Sequence, residues 1–548
     1  MSTSPTAAQR LVETLVVNGI THIFCVPGES YLAVLDALVD VKDKIKVVTC
    51  RHEGGAANMA VAYGKLTGKP GICFVTRGPG ATHGSIGVHT AQQDSVPLIF
   101  FVGQIARSDK GREAFQEVDY AATFGTMCKL AFEIDDPARM VEQCGRAFAV
   151  AMQGRKGAVV VALPEDMLVE PAGPRVPVAI SVATTGLDPA ILPKLAARLE
   201  AAERPVLILG GTGWTPRALD ALASWTERLG LPIVLSFRRK DLIDNHHPCY
   251  IGDLGLGPNP KLVQRVKSAD LVIALGARLG ENPSQAYTLM TPEDSAAKLV
   301  HIHPDPEELN RVWPASLTAA SDTATAAEAI ASLPVRRSWS NAPWLSDARA
   351  ELDAFTVPVG VSGAVNMSEV CRHLMTALPY DAIVANGAGN YAAWLHRFYL
   401  HRRFGTQLAP TSGAMGFGFP AGVAAKIMHP QRTVVALAGD GCFLMNGQEL
   451  ATAVQYGANL VTIVVDNGSY GTIRMHQERD YPGRVSATDL KNPDFAAYAR
   501  AFGAWGTTVE RTVDFPAALD EAMKAGKPAL IHVKTSVADI APGKTISV

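Results

Sequence analysis

Asp440 and Asn467 each stand immediately after an apolar run, TVVALAG and LVTIVVD, that reads as a strand buried on both faces. Their side chains offer a carboxylate and an amide oxygen, and the main-chain carbonyl of Ser469 is the third donor in reach. Three hard oxygen ligands, completed by phosphate oxygens and water, suit Mg²⁺. Gly439 and Gly441 flank the aspartate, where the ends of parallel strands receive ligands. Two further acids occupy equivalent places nearer the N-terminus. Glu53, in Arg51-His52-Glu53-Gly54-Gly55, follows KVVTC and opens a helix of small residues. Glu29, in Val26-Pro27-Gly28-Glu29-Ser30, follows HIFC. On residue pattern alone, both read as helix-start acids. A glycine-rich turn, Asn386-Gly387-Ala388-Gly389-Asn390-Tyr391, follows a further strand, and main-chain amides in such a turn can cradle phosphate.

The elements that must hold these groups are strands alternating with helices. At 548 residues the chain exceeds one core and predicts about three domains. Apolar residues make up 48% and charged residues 19%, the balance of well-packed globular domains. A net charge of -2 gives no electrostatic footprint for nucleic acid or an anionic membrane. No apolar run approaches the roughly 20 residues of a membrane helix, and MSTSPTAAQR lacks an apolar signal core. The eight cysteines are scattered, without a CxxC pair, and read as reduced buried thiols of a cytoplasmic protein. Pro-rich joins at 165–190 and 333–362 separate segments expected at 1–170, 190–335 and 363–548. Apolar strand runs number five in the first segment, four in the second and four in the third. Their alternation with helices predicts an α/β protein of three doubly wound parallel sheets.

The block from Gly439 to Asn467 resembles the GDG…NN motif of thiamine diphosphate (ThDP) enzymes, with Asp466 in place of the first Asn. Further segments extend the likeness to acetolactate synthases and benzaldehyde lyase. Gly78-Pro79-Gly80-Ala81-Thr82-His83 resembles their GPGATN turn, with His83 for Asn. Phe115-Gln116-Glu117 matches an FQE segment, and Thr411-Ser412-Gly413-Ala414-Met415 resembles a glycine-rich loop. The resemblance, which covers about residues 5 to 540, implies pyrimidine-binding, middle and diphosphate-binding domains. It implies that Glu53 binds N1' of the aminopyrimidine and promotes loss of the C2 proton. Gln116 and Gly28 would lie by the thiazolium, and Gly389, Asn390, Tyr391 and Gly471 by the diphosphate. The Gly413 carbonyl would meet the 4'-amino group, and Met415 would bend the cofactor. A site shared between subunits makes a homodimer the minimum active unit, with tetramers common.

Several positions depart from the likeness. His476 stands where acetolactate synthases carry a Trp that favours a larger second keto acid, and no His-His pair lies near Phe115. Lys129 falls at the interval of a family lysine but reads from residues alone as a solvated charge. Gly276-Ala277-Arg278 is kept, whereas the LGENPSQAY that follows is altered, which disfavours FAD. Glu29 replaces a Gly or Ala facing C2. As an ionised carboxylate it would repel 2-keto acids; buried, it would exchange protons; turned away, it would cap a helix. The function expected is ThDP- and Mg²⁺-dependent making or breaking of carbon–carbon bonds beside a carbonyl, on 2-keto acids, aldehydes or acyloins. A 2-keto acid decarboxylase, a 2-hydroxyacyl-CoA-type lyase and a ThDP-binding protein without turnover are the alternatives.

Overall fold

The computed structural model describes residues 4–547. Its strands form three six-stranded sheets, and every strand pair within them is parallel. The first contains β1 (His22–Cys25), β2 (Lys46–Thr49), β3 (Gly71–Val75), β4 (Leu98–Gln104), β5 (Leu130–Glu133) and β6 (Ala158–Pro164), in the order β2-β1-β3-β4-β6-β5. The second contains β7 (Pro205–Leu209), β8 (Ile233–Ser236), β9 (Tyr250–Leu254), β10 (Leu271–Leu275), β11 (Leu299–His303) and β12 (Leu317–Ala320), ordered β12-β11-β10-β7-β8-β9. The third contains β13 (Ile383–Asn386), β14 (Gln407–Leu408), β15 (Val434–Gly439), β16 (Val461–Asp466), β17 (Trp505–Val509) and β18 (Ala529–Lys534), ordered β14-β13-β15-β16-β18-β17.

All thirteen strands expected from apolar runs are present. The five that those runs do not reveal are β5, β9, β12, β14 and β17, and each is an edge strand. An edge strand is flanked on one side only, so continuous apolarity is not required of it. The residues of β5 are all half-buried, and β9 includes Gly252 and Asp253.

Two further expectations are corrected. The sequence between Asp440 and Asn467 predicts one amphipathic helix, but the structure breaks it into Asp440–Leu444, a 3₁₀ turn at Gly447–Glu449, and Leu450–Gln455. The segment Gly78–His83, likened above to a turn, is already helical and opens the helix Gly78–Asp94.

The first and third sheets share one continuous core. The helix Glu53–Thr67 packs on the helix Gly418–Met428, and both are rich in Gly and Ala along their buried faces. Small residues bring the two main chains close, so side chains from one domain reach main-chain groups of the other. Asp94 accepts from Thr411 Oγ1 (2.6 Å) and Ser412 N–H (3.1 Å) and pairs with Lys65 at 2.5 Å. All eight cysteines are free and buried.

Candidate active site

In the third sheet the chain runs outward from β13 to β14 and returns on the other side at β15. The sheet therefore changes direction between β13 and β15, where open α/β sheets place ligands beyond their strand ends. A cavity of about 230 Å³ opens there. Gly389, Asn390, Tyr391, Gly413, Met415, Gly439, Asp440, Gly441, Asn467, Ser469 and Gly471 all line it. Segments separated by up to 82 residues in sequence thus converge on one cavity. Trp394, Thr535, Asp539 and Ile540 complete the wall.

Each wall has a local cause. Gly389 adopts φ +141°, a conformation that L side chains rarely adopt. Asn390 then donates its N–H to Thr472 Oγ1 and accepts from that hydroxyl at Oδ1, both at 3.0 Å. This ties the β13 turn to the start of the helix Gly471–Asp480. Tyr391 turns its hydroxyl inward, accepting from Gly387 N–H (2.9 Å) and lying 3.3 Å from Cys442 Sγ. A Cβ at Gly441 would come within 2.5 Å of the Tyr470 ring, so only glycine leaves the space beside Asp440 open.

The oxygen donors fit a divalent cation. Asp440 is 4% exposed, and no Lys or Arg pairs with it among the described residues. Burial pushes its carboxyl up to about 6, against hydrogen bonds from Gly441 N–H and the Asn492 amide, while the Asp466 charge adds to the rise. A buried carboxylate without a cationic side chain is the environment that a bound divalent ion neutralises. Burial also opposes the charge on Asp466, but hydrogen bonds from His532, Asn492 and Gly468 N–H outweigh it and hold the pKa down at about 2. Ser469 Oγ is buried without a partner, and the Ser469 carbonyl accepts from Gly471 N–H at 2.7 Å. The amides opening the helix Gly471–Asp480 line the same cavity, where they favour phosphate.

Gly28, Glu29, Glu53 and Gln116 do not join this cavity, whose lining runs from Val361 to Ile540. They gather at the matching place on the first sheet, around the segment Thr76–His83. A Cβ at Gly28 would lie 2.4 Å from Thr76 Cβ. Glu29 pairs with Arg77 at 3.3 Å, and Gln116 O accepts from Gly78 N–H at 3.1 Å. Glu53 Oε2 lies 3.0 Å from His83 Nδ1. Glu29 is 67% exposed and ion-paired, so within the chain it is neither buried nor an isolated charge. Phe115, beside Gln116, is 74% exposed.

Glu53 is the first residue of its helix, behind the N-cap His52, whose Nδ1 accepts Gly54 N–H at 3.0 Å. The turn is gripped from the third domain by Glu449. This fully buried carboxylate accepts from Arg51 N–H (3.0 and 3.2 Å), His52 N–H (2.9 Å) and Thr452 Oγ1 (2.6 Å). Burial raises its pKa despite these donors. A Cβ at Gly55 would stand 2.4 Å from Glu449 Oε1, so the glycine makes room for the contact. Glu449 and Asn492 escape the sequence reading. A lone Glu among apolar residues in LMNGQELATAV could have flagged the first, but KNPD carries no comparable signal for the second. Lys129 is corrected from a solvated charge. Its Nζ donates to Gln153 O (2.7 Å) and Arg155 O (2.8 Å), and burial lowers its pKa to about 8.

Three family matches fall one on each of the three sheets. A family model described as the thiamine pyrophosphate enzyme N-terminal TPP binding domain matches residues 5–123. The central domain of that family matches 192–330, and its C-terminal TPP binding domain matches 387–533. The chain is 32% identical over 542 residues to an acetolactate synthase large subunit of Parasynechococcus marenigrum (strain WH8102), an alignment covering 96% of this chain and 87% of that one. It is 30% identical over 530 residues to the acetolactate synthase isozyme 2 large subunit of Escherichia coli (strain K12), covering 96% and 95%. A probable acetolactate synthase large subunit of Methanocaldococcus jannaschii is 30% identical over 554 residues, covering 98% and 93%. The chain belongs to the thiamine diphosphate-dependent enzymes of the acetolactate synthase group. Its cofactor is thiamine diphosphate, and the alternative of a binding protein without turnover is set aside. No helix of the described residues is long and apolar enough to cross a membrane.

Proposed function

We propose that the protein joins or cleaves carbon–carbon bonds beside a carbonyl, using a 2-keto acid as donor and a second carbonyl compound as acceptor. The observation that carries this reading is the convergence of eleven separately identified residues on one cavity of the third sheet, with the acid Glu53 at the corresponding end of the first. Bound thiamine diphosphate supplies the carbon nucleophile and the electron sink for that chemistry.

The chain's own groups divide the remaining work. Asp440, Asn467 and the Ser469 carbonyl would hold Mg²⁺. The main-chain amides of Gly389, Tyr391 and Thr472 would receive the diphosphate, since those of Asn390 and Gly471 already donate to Thr472 Oγ1 and the Ser469 carbonyl. Gly413 and Met415 orient the rest of the cofactor. Glu53 holds and returns a proton at its carboxyl oxygens. Gly28, Glu29 and Gln116 form the wall that meets the substrates. Because the first-sheet cluster and the third-sheet cavity are separate in one chain, each half is completed by a second copy, which makes a homodimer the smallest active unit. The altered segment after Arg278 supports turnover without FAD.

The test is to supply purified protein, ThDP and Mg²⁺ with pyruvate and a panel of aldehydes and 2-keto acids, without flavin. ThDP-dependent acyloin or acetohydroxy acid products support the reading. Release of aldehyde and CO₂ alone would replace it with a decarboxylase.

A further inference from the structure

Glu53 has an unusual neighbour. His83 is the sixth residue of the helix Gly78–Asp94, and its Nδ1 lies 3.0 Å from Glu53 Oε2. The glutamate side chain is 13% exposed, and among the described residues Oε1 has no hydrogen bond. The His83 side chain is 56% exposed, and its ring has one stacking partner. It stacks on the ring of His52, with centroids 4.9 Å apart and planes at 26°. His52 is anchored in turn, because its Nδ1 accepts Gly54 N–H at 3.0 Å. Burial lowers the His52 pKa, against the pull of Glu53, which favours the neutral ring required by this acceptor role.

Glu53, His52 and His83 thus form one assembly at the start of two helices, and only one oxygen of the acid is left unengaged. A carboxylate with two equivalent oxygens can rotate between them; one fixed by a partner at Oε2 presents Oε1 in a single direction. The contact serves either state of the acid, since Nδ1 accepts from a protonated carboxyl and Nδ1–H donates to an ionised one.

We propose that His83 is a positioning residue for Glu53, holding Oε2 so that Oε1 is the oxygen presented to the cofactor. The inference rests on the reading of Glu53 as the activating acid. It goes further by assigning a role to a histidine at a place where the resembling turn carries Asn.

The experiment uses the holoenzyme without substrate and measures the C2 hydrogen–deuterium exchange rate of bound ThDP by acid quench and proton NMR. His83→Phe keeps a ring to stack on His52 but deletes the nitrogen. It should slow exchange about 10–100-fold, the size expected for loss of a hydrogen bond to a charged group, without changing ThDP affinity. His83→Asn restores an N–H donor without the imidazole ring and should recover most of that loss. Exchange at the wild-type rate in His83→Phe, with Glu53→Gln slow, would overturn the proposal and leave the role of Glu53 standing. Wild-type exchange in Glu53→Gln would overturn both. A second readout needs no cofactor: in ¹⁵N-histidine-labelled apoprotein, the His83 Nδ1 signal should move on Glu53→Gln. An unmoved signal would contradict the contact even if His83→Phe failed to fold.

Discussion

Counted from the first strand of each, the first and third sheets have the same order, 2-1-3-4-6-5, whereas the middle sheet runs 6-5-4-1-2-3. The two matching sheets change direction at the same point and offer the same crevice beyond their strand ends. What they place there differs. The third sheet lays down glycines, helix-start amides and oxygen donors around an open cavity. The first lays down acids, each already engaged, by His83 for Glu53 and by Arg77 for Glu29. One topology therefore builds an open cavity in one domain and, on the proposed reading, a proton-handling wall in the other. The fold supplies the location, and the residues just past the strands supply the chemistry.

The contrast makes opposite demands on the two halves. Glu53→Gln should leave ThDP and Mg²⁺ binding intact while slowing C2 exchange by about 10²–10⁴-fold, the usual worth of general acid–base assistance. Equal losses in affinity and exchange would blur the division between wall and cradle. Asp440→Ala should do the reverse. Mg²⁺-supported ThDP affinity should fall by more than the roughly 10–100-fold typical of losing an outer-shell partner. A metal titration that left ThDP affinity unchanged would remove Asp440 from the metal site.

Glu449 joins the halves within the chain, so its loss should register in stability as well as exchange. Glu449→Ala strands the part-buried N–H groups of Arg51 and His52, and because water reaches them in part each lost bond costs about 1 kcal/mol, the low end for an unsatisfied donor. Thermal unfolding should show a lower midpoint; an unchanged midpoint would mean that the turn holding Glu53 is fixed by other contacts. The smallest effect belongs to Glu29. Its exposed pairing with Arg77 limits the stability at stake to about 1 kcal/mol or less. Arg77, shared with Glu165 at 2.5 Å, offsets part of the repulsion that the Glu29 carboxylate would exert on a 2-keto acid. Glu29→Gly should raise pyruvate use relative to neutral aldehydes only modestly, and an unchanged preference across a substrate panel would make Glu29 a helix-start acid alone.

Strands buried on both faces and residues at their ends were legible without coordinates, because central parallel strands must be continuously apolar and ligand groups must follow them. β5 and β17 were not, since edge strands with half-buried residues show no such run. At the site, Asp440 and Asn467 announced themselves by spacing. Asn492 did not, although its amide bonds both Asp440 (2.7 Å) and Asp466 (2.8 Å), because a loop residue that acts through another side chain leaves no periodic trace. The partners of Glu53 were hidden for a related reason. Glu449 lies 396 positions away in sequence, and the stacking of His52 on His83 depends on how two helices meet.

The proposed division of one site between two copies has a direct test. Glu53→Gln and Asp440→Ala chains, co-expressed with different tags and purified as the mixed dimer, place both defects in one shared site and leave the other with an intact acid and an intact metal cradle. Each parent dimer should be nearly inactive, while the mixed dimer should recover about half of the wild-type C2 exchange and turnover per dimer. A mixed dimer as inactive as its parents would contradict a site built from the first domain of one copy and the third domain of another.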